Sequence, residues 1–391
     1  MGTTVREHSP NGAERALALA VASLLVLLAC AQEHTQSHQD RTERISIAGN
    51  EAMSSCLELM PDGRTLLVAT TQDHPIYVMD VTDWSVQRTI EVNGFYAGPE
   101  VKASRTGKYL LLRQKSYIDY RANQDRAVRY EVLDFATGKE LVTVDKAHDA
   151  AISADEQHLY TLDGEQITLR KLPSGEVTGR IAVPFARNSM AASPDGRWIA
   201  VTHRPTVPQL ETVPSIRNDK KALKPAQKFR EMVSVYDAVS GKLVGTVPEI
   251  YDRVYTMAFN EQGDRLLVYS VAHTRVEANG TPEGVVSMVE MPTMVPLRTG
   301  FLSLMNDPQL EPNAQGDRIA LASTEGFNKR KMYVYDMQTG EFTLDLDLDQ
   351  RWGRDLANKE QHDGRVPYHF LADGRTLVFG SGAWLRLITT P

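Results

Sequence analysis

The sequence is short of the residues and motifs that mark several protein classes. It contains only two cysteines, Cys30 and Cys56, and neither a CxxC nor an HExxH segment occurs, so local motifs indicate no redox pair and no metal centre. A Gly-rich phosphate-binding loop and a GxSxG nucleophile motif are also missing. The formal net charge of −7 is not the basic surplus of nucleic-acid-binding proteins. We therefore predict no metal, no cofactor and no nucleic-acid partner.

No apolar run reaches the length of about 20 residues that a membrane-spanning helix needs. The longest run, residues 16–29, has the length of a signal-peptide core, and Arg6 and Arg15 precede it. It ends at Leu27-Leu28-Ala29-Cys30, which resembles the lipobox of bacterial lipoproteins. The resemblance implies cleavage before Cys30 and acylation of its thiol and its new amine, for example with palmitate, and several acyl chains on one residue give stable anchoring. An ordinary cleaved signal peptide beside an unmodified cysteine stays open.

The residues that follow Cys30 predict a location and a tether. Ala31 in place of Asp resembles the pattern of lipoproteins passed to the outer membrane, which implies attachment to its periplasmic face by the lipid alone. Residues 31–43 are polar and unpatterned, as in flexible linkers. The predicted organisation is a signal peptide over residues 1–29, a lipidated tether over 30–43 and one folded domain over 44–391. The remaining Cys56 lies in an alternating segment, which predicts a small buried side chain.

A short phrase recurs seven times in the predicted domain: a strand, a tight turn, and an apolar strand. Six of the turns contain a Gly, which supplies the positive φ of such turns, whereas the third has Glu156 instead. A second phrase, an alternating strand that ends in Asp before a Thr-Gly or Ser-Gly turn, follows in most units, so each unit holds four strands. The first turns lie at residues 60–64, 104–108, 153–157, 193–197, 260–264, 313–317 and 371–375.

The paired phrases resemble the YVTN-type repeat, a relative of the WD repeats, although the GH and WD dipeptides are missing. The resemblance implies an all-β fold, a seven-bladed β-propeller of four-stranded blades. The last unit holds only three strands before the chain stops at Pro391, whereas residues 44–48 alternate like a strand with no partner in their own unit. We therefore predict that this N-terminal strand completes the last blade.

The geometry of a propeller assigns the loops to two faces. Turns between the first and second and between the third and fourth strands lie on one side, here called the turn face. Loops between the second and third strands and between blades lie on the other side, the loop face. Long loops in compact domains are commonly functional, so we predict that the loop face binds a ligand or partner. The insertions assigned to it are residues 116–126, 204–230, 273–284, 323–330 and 350–365.

Residues just before or early in each innermost strand are predicted to line the mouth of the central channel on the loop face. Their planar donors and aromatic rings suit an anionic or carbohydrate-like ligand, or a protein loop. The alternative, that they hydrate the mouth or join neighbouring blades, stays open. They are Tyr96, His148, Arg187, Asn188, Arg253, Asn306, Tyr368 and His369.

Two charged segments have structural and functional interpretations. Asp345, Asp347 and Asp349 alternate along one strand, which predicts a charged outer strand that blocks edge-to-edge pairing. Residues 217–230 contain six basic residues and one acid. This segment either meets an anionic surface or forms a solvated loop with a helical turn that breaks at Pro225.

These predictions favour a monomeric, non-enzymatic binding scaffold in the cell envelope. Its partner would be a protein or another envelope component held on the loop face. The alternative is a periplasmic enzyme, because relatives of this propeller class include lactonases and the large subunits of amine dehydrogenases, which act through residues of the central channel.

Overall fold

Short alternating segments separated by tight turns form strands, because one side of each segment is apolar and the turns favour hairpins. The computed structural model describes residues 45–46, 53–115, 127–271, 283–303, 310–325, 329–339, 341–348, 366–381 and 384–390. Within these residues, 28 strands form seven antiparallel four-stranded sheets. The predicted all-β, seven-bladed propeller is therefore confirmed.

The blades follow one another in chain order, with the innermost strand first in each. The strands are, in blade one, β2 (Ser54–Leu59), β3 (Thr65–Thr70), β4 (Ile76–Asp80) and β5 (Val86–Ile90); in blade two, β6 (Pro99–Ala103), β7 (Tyr109–Gln114), β8 (Val128–Asp134) and β9 (Glu140–Ala147); in blade three, β10 (Asp149–Ile152), β11 (His158–Asp163), β12 (Gln166–Lys171) and β13 (Val177–Ala182); in blade four, β14 (Ala186–Ala192), β15 (Trp198–His203), β16 (Met232–Asp237) and β17 (Leu243–Thr246); in blade five, β18 (Arg253–Phe259), β19 (Arg265–Val271), β20 (Glu283–Glu290) and β21 (Val295–Ser303); in blade six, β22 (Leu310–Pro312), β23 (Arg318–Glu325), β24 (Lys329–Asp336) and β25 (Glu341–Asp347); and in blade seven, β26 (Tyr368–Phe370), β27 (Thr376–Ser381) and β28 (Trp384–Thr389), with β1 (Ile45–Ser46).

The first turns of all seven blades share one backbone pattern. The N–H of the first turn residue donates to the carbonyl five residues later, as Met60 does to Thr65. The six turn glycines have positive φ, as predicted, and Glu156 takes the same conformation with φ of 57°. Its carboxylate accepts hydrogen bonds from the backbone N–H and the hydroxyl of Thr106, each at 2.7 Å. These bonds to blade two offset the strain of a left-handed conformation in a residue with a Cβ.

The two ends of the domain lie in the same blade. The strand β1 pairs antiparallel with β28, with Ile45 opposite Leu385 and Ser46 opposite Trp384. It is therefore the outermost strand of blade seven. The innermost strands of blades one and seven, β2 and β26, also contact each other. Residues far apart in sequence thus close the ring.

Apolar side chains between neighbouring blades form the core. Between blades one and two, for example, Leu67 and Ala69 pack with Val101 and Leu112, and all four are almost fully buried. Cys56 belongs to the same cluster and is 2% exposed, which confirms the prediction of a small buried side chain. Burial raises the pKa of its thiol to about 12.

One predicted insertion is described over its whole length. In blade four, residues 204–230 contain the helices α1 (Val207–Leu210) and α2 (Lys220–Phe229). The prediction that a helical turn breaks at Pro225 is wrong, since α2 continues through this residue. Pro225 is exposed, so water can hydrogen-bond the backbone carbonyl that the proline leaves without a donor. Within the described residues, neither helix has the length and apolar character needed to cross a membrane.

The other insertions differ in part from the prediction. In blade six, β23 reaches Glu325 and β24 begins at Lys329, and the two strands pair in register up to these residues. The insertion predicted at 323–330 is therefore mostly strand, because the antiparallel pairing continues through these polar residues, further than the turn pattern indicated. In blade five, β20 begins at Glu283, inside the predicted insertion 273–284. Residues 116–126, 350–365 and most of 273–284 lie outside the described residues.

Candidate functional site

The innermost strands place one equivalent residue from each blade around the central channel. This residue lies two positions before the first turn of its blade. In blade one, for example, the turn starts at Met60, and the residue is Glu58, which pairs with Leu67 of the second strand. The same register occurs in every blade. We call this set the channel ring. In blade order it consists of Glu58, Lys102, Ala151, Ala191, Ala258, Glu311 and His369. Charges of alternating sign thus occupy blades six, seven, one and two, and alanines occupy the other three.

His369 lies between the two carboxylates of the channel ring. Its Nε2 is 3.1 Å from Oε1 of Glu311 and 3.5 Å from Oε2 of Glu58, and its Nδ1 is 2.7 Å from the carbonyl oxygen of Phe370. Burial lowers the pKa of His369, but the two carboxylates outweigh this effect and raise the pKa to about 9. The imidazole is therefore protonated at neutral pH and forms ion pairs with carboxylates of both neighbouring blades.

The other two charges of the channel ring extend this network into blade two. Glu58 accepts a hydrogen bond of 2.8 Å from the backbone N–H of Ala103, which joins blade one to blade two. Lys102 remains exposed to the water of the channel. Burial lowers its pKa, whereas nearby carboxylates outweigh this effect and raise it; these are Glu100, Asp149, Glu58 and Glu311. These carboxylates come from blades one, two, three and six. Carboxylates of four different blades therefore attract the ammonium group of Lys102 electrostatically.

A second polar cluster lies nearer the loop face and joins blades two, three and four. Arg113 forms an ion pair of 3.0 Å with Glu100 and donates a hydrogen bond of 3.1 Å to the hydroxyl of Tyr130. Asp149 accepts a hydrogen bond of 2.8 Å from the N–H of Met190 in blade four. Burial raises the pKa of Asp149. Burial acts in the same direction on Glu100, but Arg113 and two lysines outweigh it and lower that pKa to about 2.

Four of the predicted mouth residues lie at the loop-face ends of the innermost strands or in the loops beside them. Tyr96 is 61% exposed, and Arg253 is half-buried at the start of β18. His148 and Arg187 are also half-buried. The Nδ1 of His148 and the Nε of Arg187 are enclosed atoms with no hydrogen-bond partner among the described residues. The nearest carboxylate to Arg187 belongs to Glu231, 3.8 Å away.

The remaining predicted residues do not join that group. Tyr368 is fully buried in the apolar core between blades six and seven, so it offers no surface to a ligand. Its neighbour His369 points to the opposite side, between Glu58 and Glu311. It lies two positions before the first turn of blade seven, nearer the turn face than the predicted loop-face mouth. Asn188 lies in β14, but its side chain is outside the described part of the structure, as is all of Asn306.

The helical insertion of blade four adds a second feature to the loop face. Leu223 and Ala226 of α2 pack against Leu210, Val213 and Met232 in a small apolar cluster of their own. Directly after the helix, Glu231 accepts a hydrogen bond of 2.7 Å from the N–H of Val254 in blade five. The apolar cluster and this hydrogen bond therefore attach the insertion to the propeller.

Sequence reasoning missed Glu58, Lys102 and Glu311. Alignment of the seven first turns would have found them, because the position two residues before the turn holds a charged or histidine residue in four repeats and alanine in three. Chemically, the channel offers a protonated imidazole, an ammonium group and several carboxylates. Among the described residues, no three His, Cys, Asp or Glu side chains are arranged to hold a metal ion.

The comparisons with known proteins support the fold. No protein-family model matches the chain, and no curated protein matches it. A solved structure, the crystal structure of the Cps50 (Swd1) β-propeller domain of Myceliophteria thermophila, is similar with a TM-score of 0.59. The match covers 90% of this chain and all of that domain at 14% sequence identity. At this identity the similarity shows a WD40-like propeller fold and no more.

Proposed function

We propose that this chain is a cell-envelope lipoprotein whose propeller is a non-enzymatic scaffold. Its loop face holds a protein partner or another envelope component, and acylation of Cys30 anchors it at the periplasmic face of the outer membrane. The propeller fold supports a binding role. The lipobox-like Leu27-Leu28-Ala29-Cys30 and the YVTN-like repeats support the envelope location.

The difference between the two faces carries this proposal. On the turn face, the first turns of all seven blades are tight and close with the same backbone hydrogen bond. On the loop face, blade four carries the folded insertion with α1 and α2. The loop face also has the exposed Tyr96 and the two enclosed nitrogens of His148 and Arg187. Enclosed polar atoms that have no hydrogen bond among the described residues suit a ligand that supplies one.

The charges of the channel favour binding over catalysis. A general base needs a pKa near the working pH, but His369 is protonated at neutral pH and held between two carboxylates. Glu58 accepts a backbone N–H, and Glu100 pairs with Arg113. These groups join the blades and leave the channel ring without a free base.

Metabolic labelling with a palmitate analogue tests the proposed acylation of Cys30 and the membrane location. The full-length chain should take up the label and remain with the membrane fraction, whereas Cys30→Ser should lose both properties. Cys56→Ser is the matched control and should label like the wild type, since Cys56 is buried in the propeller. Labelling that persists in Cys30→Ser would contradict the anchor.

Site-specific photo-crosslinking in intact cells tests the binding face. Probes at Tyr96 and Phe185 lie on the loop face, and probes at Pro61 and Ala372 lie on the turn face; all four side chains are exposed. We expect one discrete adduct from the loop-face probes and none from the turn-face probes. The same adduct from both faces would contradict the assignment.

Turnover assays test the non-enzymatic part. The purified protein should hydrolyse no lactone and oxidise no amine. Turnover that disappears in His369→Gln would show that the channel is an active site.

A further inference from the structure

Four lysines of α2 lie on one side of the helix. At 100° per residue, Lys220, Lys221, Lys224 and Lys228 fall within an arc of about 100°, and all four are exposed. We call this set the lysine stripe. Leu223 and Ala226 lie on the opposite side, which packs on the propeller. The helix therefore uses its apolar side for attachment and presents its basic side to solvent.

The direction of the lysine stripe is fixed by the contacts at both ends of the helix. The carboxylate of Asp219 caps the first turn by accepting the N–H groups of Lys221 and Ala222 at 2.9 and 3.1 Å. After the last turn, Arg230 forms an ion pair with Asp252. The four ammonium groups are thus carried on a rigid support.

Nothing within α2 neutralises these charges. The helix Lys220–Phe229 contains no Asp or Glu, and its capping Asp219 is engaged with backbone N–H groups. The pairs Lys220–Lys224 and Lys224–Lys228 place like charges four residues apart, which destabilises a helix. On a chain with a net charge of −7, the lysine stripe is a local basic surface whose self-repulsion an anionic partner would relieve.

We propose that the lysine stripe docks on the anionic headgroups of a lipid bilayer. The four lysines share one exposed side of a single helix, an arrangement that suits a flat charged surface. Its charges are lysines, which act as flexible point charges, whereas recognition of single carboxylates or phosphates favours the bidentate fork of arginine. Phe229 is 64% exposed and lies beside Lys228, whose Nζ is 5.0 Å from the ring centre. An exposed aromatic ring next to a basic helix side is typical of interfacial membrane contacts.

The inference rests on the proposed function in one respect, because acylation of Cys30 would bring the stripe to a bilayer. The stripe adds a second membrane contact to the single lipid anchor that the sequence predicts. It draws the loop-face edge of blade four towards the headgroups.

Vesicle flotation with a polypeptide of residues 31–391, which lacks Cys30, tests the inference without the lipid. This polypeptide holds every strand and helix of the described part of the structure. We expect it to float with vesicles of phosphatidylglycerol and phosphatidylcholine, to stay behind with pure phosphatidylcholine, and to be released by high salt. Replacement of the four lysines of the stripe by alanine should weaken binding about 600-fold, since each basic residue near such a surface contributes roughly a factor of five.

The matched control changes the same charge elsewhere. The exposed lysines Lys139, Lys146, Lys171 and Lys242 of blades two to four, replaced together by alanine, should leave binding within about threefold. Circular dichroism verifies the fold of both variants, and alanine also favours the helical state of α2.

Three results would overturn the inference: equal losses in both variants, equal binding to neutral vesicles, or tighter stripe-dependent binding to polyglutamate than to the anionic vesicles. The last result would assign the lysine stripe to an acidic protein. The lipid anchor can fail independently of this inference. In that case the full-length chain takes up no palmitate label, but the unlipidated polypeptide still floats with anionic vesicles.

Discussion

His369 should make the stability of the propeller depend on pH. The imidazole faces Glu58 from blade one and Glu311 from blade six, and Lys102 of blade two faces the same carboxylates. Replacement His369→Gln removes the titrating cation but keeps a side chain that donates hydrogen bonds. The variant should therefore lose the part of the stability that comes from protonation.

The size of the effect follows from the pKa. The unfolded chain has a histidine pKa near 6.5, and the folded propeller raises it to about 9. At ~1.4 kcal/mol per unit, this difference corresponds to about 3 kcal/mol. Because the folded pKa is the higher one, the contribution is complete below pH 6.5, decreases as the pH rises from 6.5 to 9, and is absent above 9.

Urea unfolding of the wild type and of His369→Gln at several pH values between 6 and 10 measures this contribution. The difference between their free energies of unfolding should be about 3 kcal/mol larger at the acidic end than at the alkaline end. A difference between wild type and His369→Gln that stays constant over this range would refute the ion-paired imidazole.

Three further predictions concern the fold. Deletion of residues 44–49 removes β1 from blade seven and should lower the melting temperature of the whole propeller in calorimetry; an unchanged melting temperature would mean that closure does not depend on this strand. Glu156→Ala should destabilise by about 2 kcal/mol in urea unfolding, because it keeps the left-handed strain and loses both hydrogen bonds to Thr106, whereas Glu156→Gly should cost less; the reverse order would contradict this account. Cys56, with a pKa near 12, should react with a maleimide at pH 8 only after unfolding, and rapid labelling of the native protein would show that it is accessible.

The fold could be predicted from the sequence because each repeat contains its own turn residues and alternating strands. A Gly in the first turn and an Asp before the second one act within a few residues, and repetition of the pattern leaves few architectures besides a propeller. Glu156 shows the limit of this reasoning. Nothing near it in the sequence indicates that a residue of blade two would hold it in a glycine conformation.

The candidate site was predicted less well, because the channel depends on the register of strands in different blades. Tyr368 and His369 were both assigned to the loop-face mouth, whereas His369 lies two positions before the first turn of its blade and Tyr368, one step along the strand, is buried in the core. The lysine stripe was visible as a basic segment. That its lysines share one side of α2 depends on the helix continuing past Pro225, which the contacts of Leu223 and Ala226 stabilise.

The sequence by itself determined the repeat, the turns and the apolar alternation, since these follow from the conformational preferences of neighbouring residues. It also contains the lipobox-like segment, and a motif of this kind is linear and does not depend on the fold. Tertiary structure alone decided which charges meet. His369 acquires its pKa from Glu58 and Glu311, residues far away in the chain, because seven blades arranged in a ring bring the same position of each repeat to one channel.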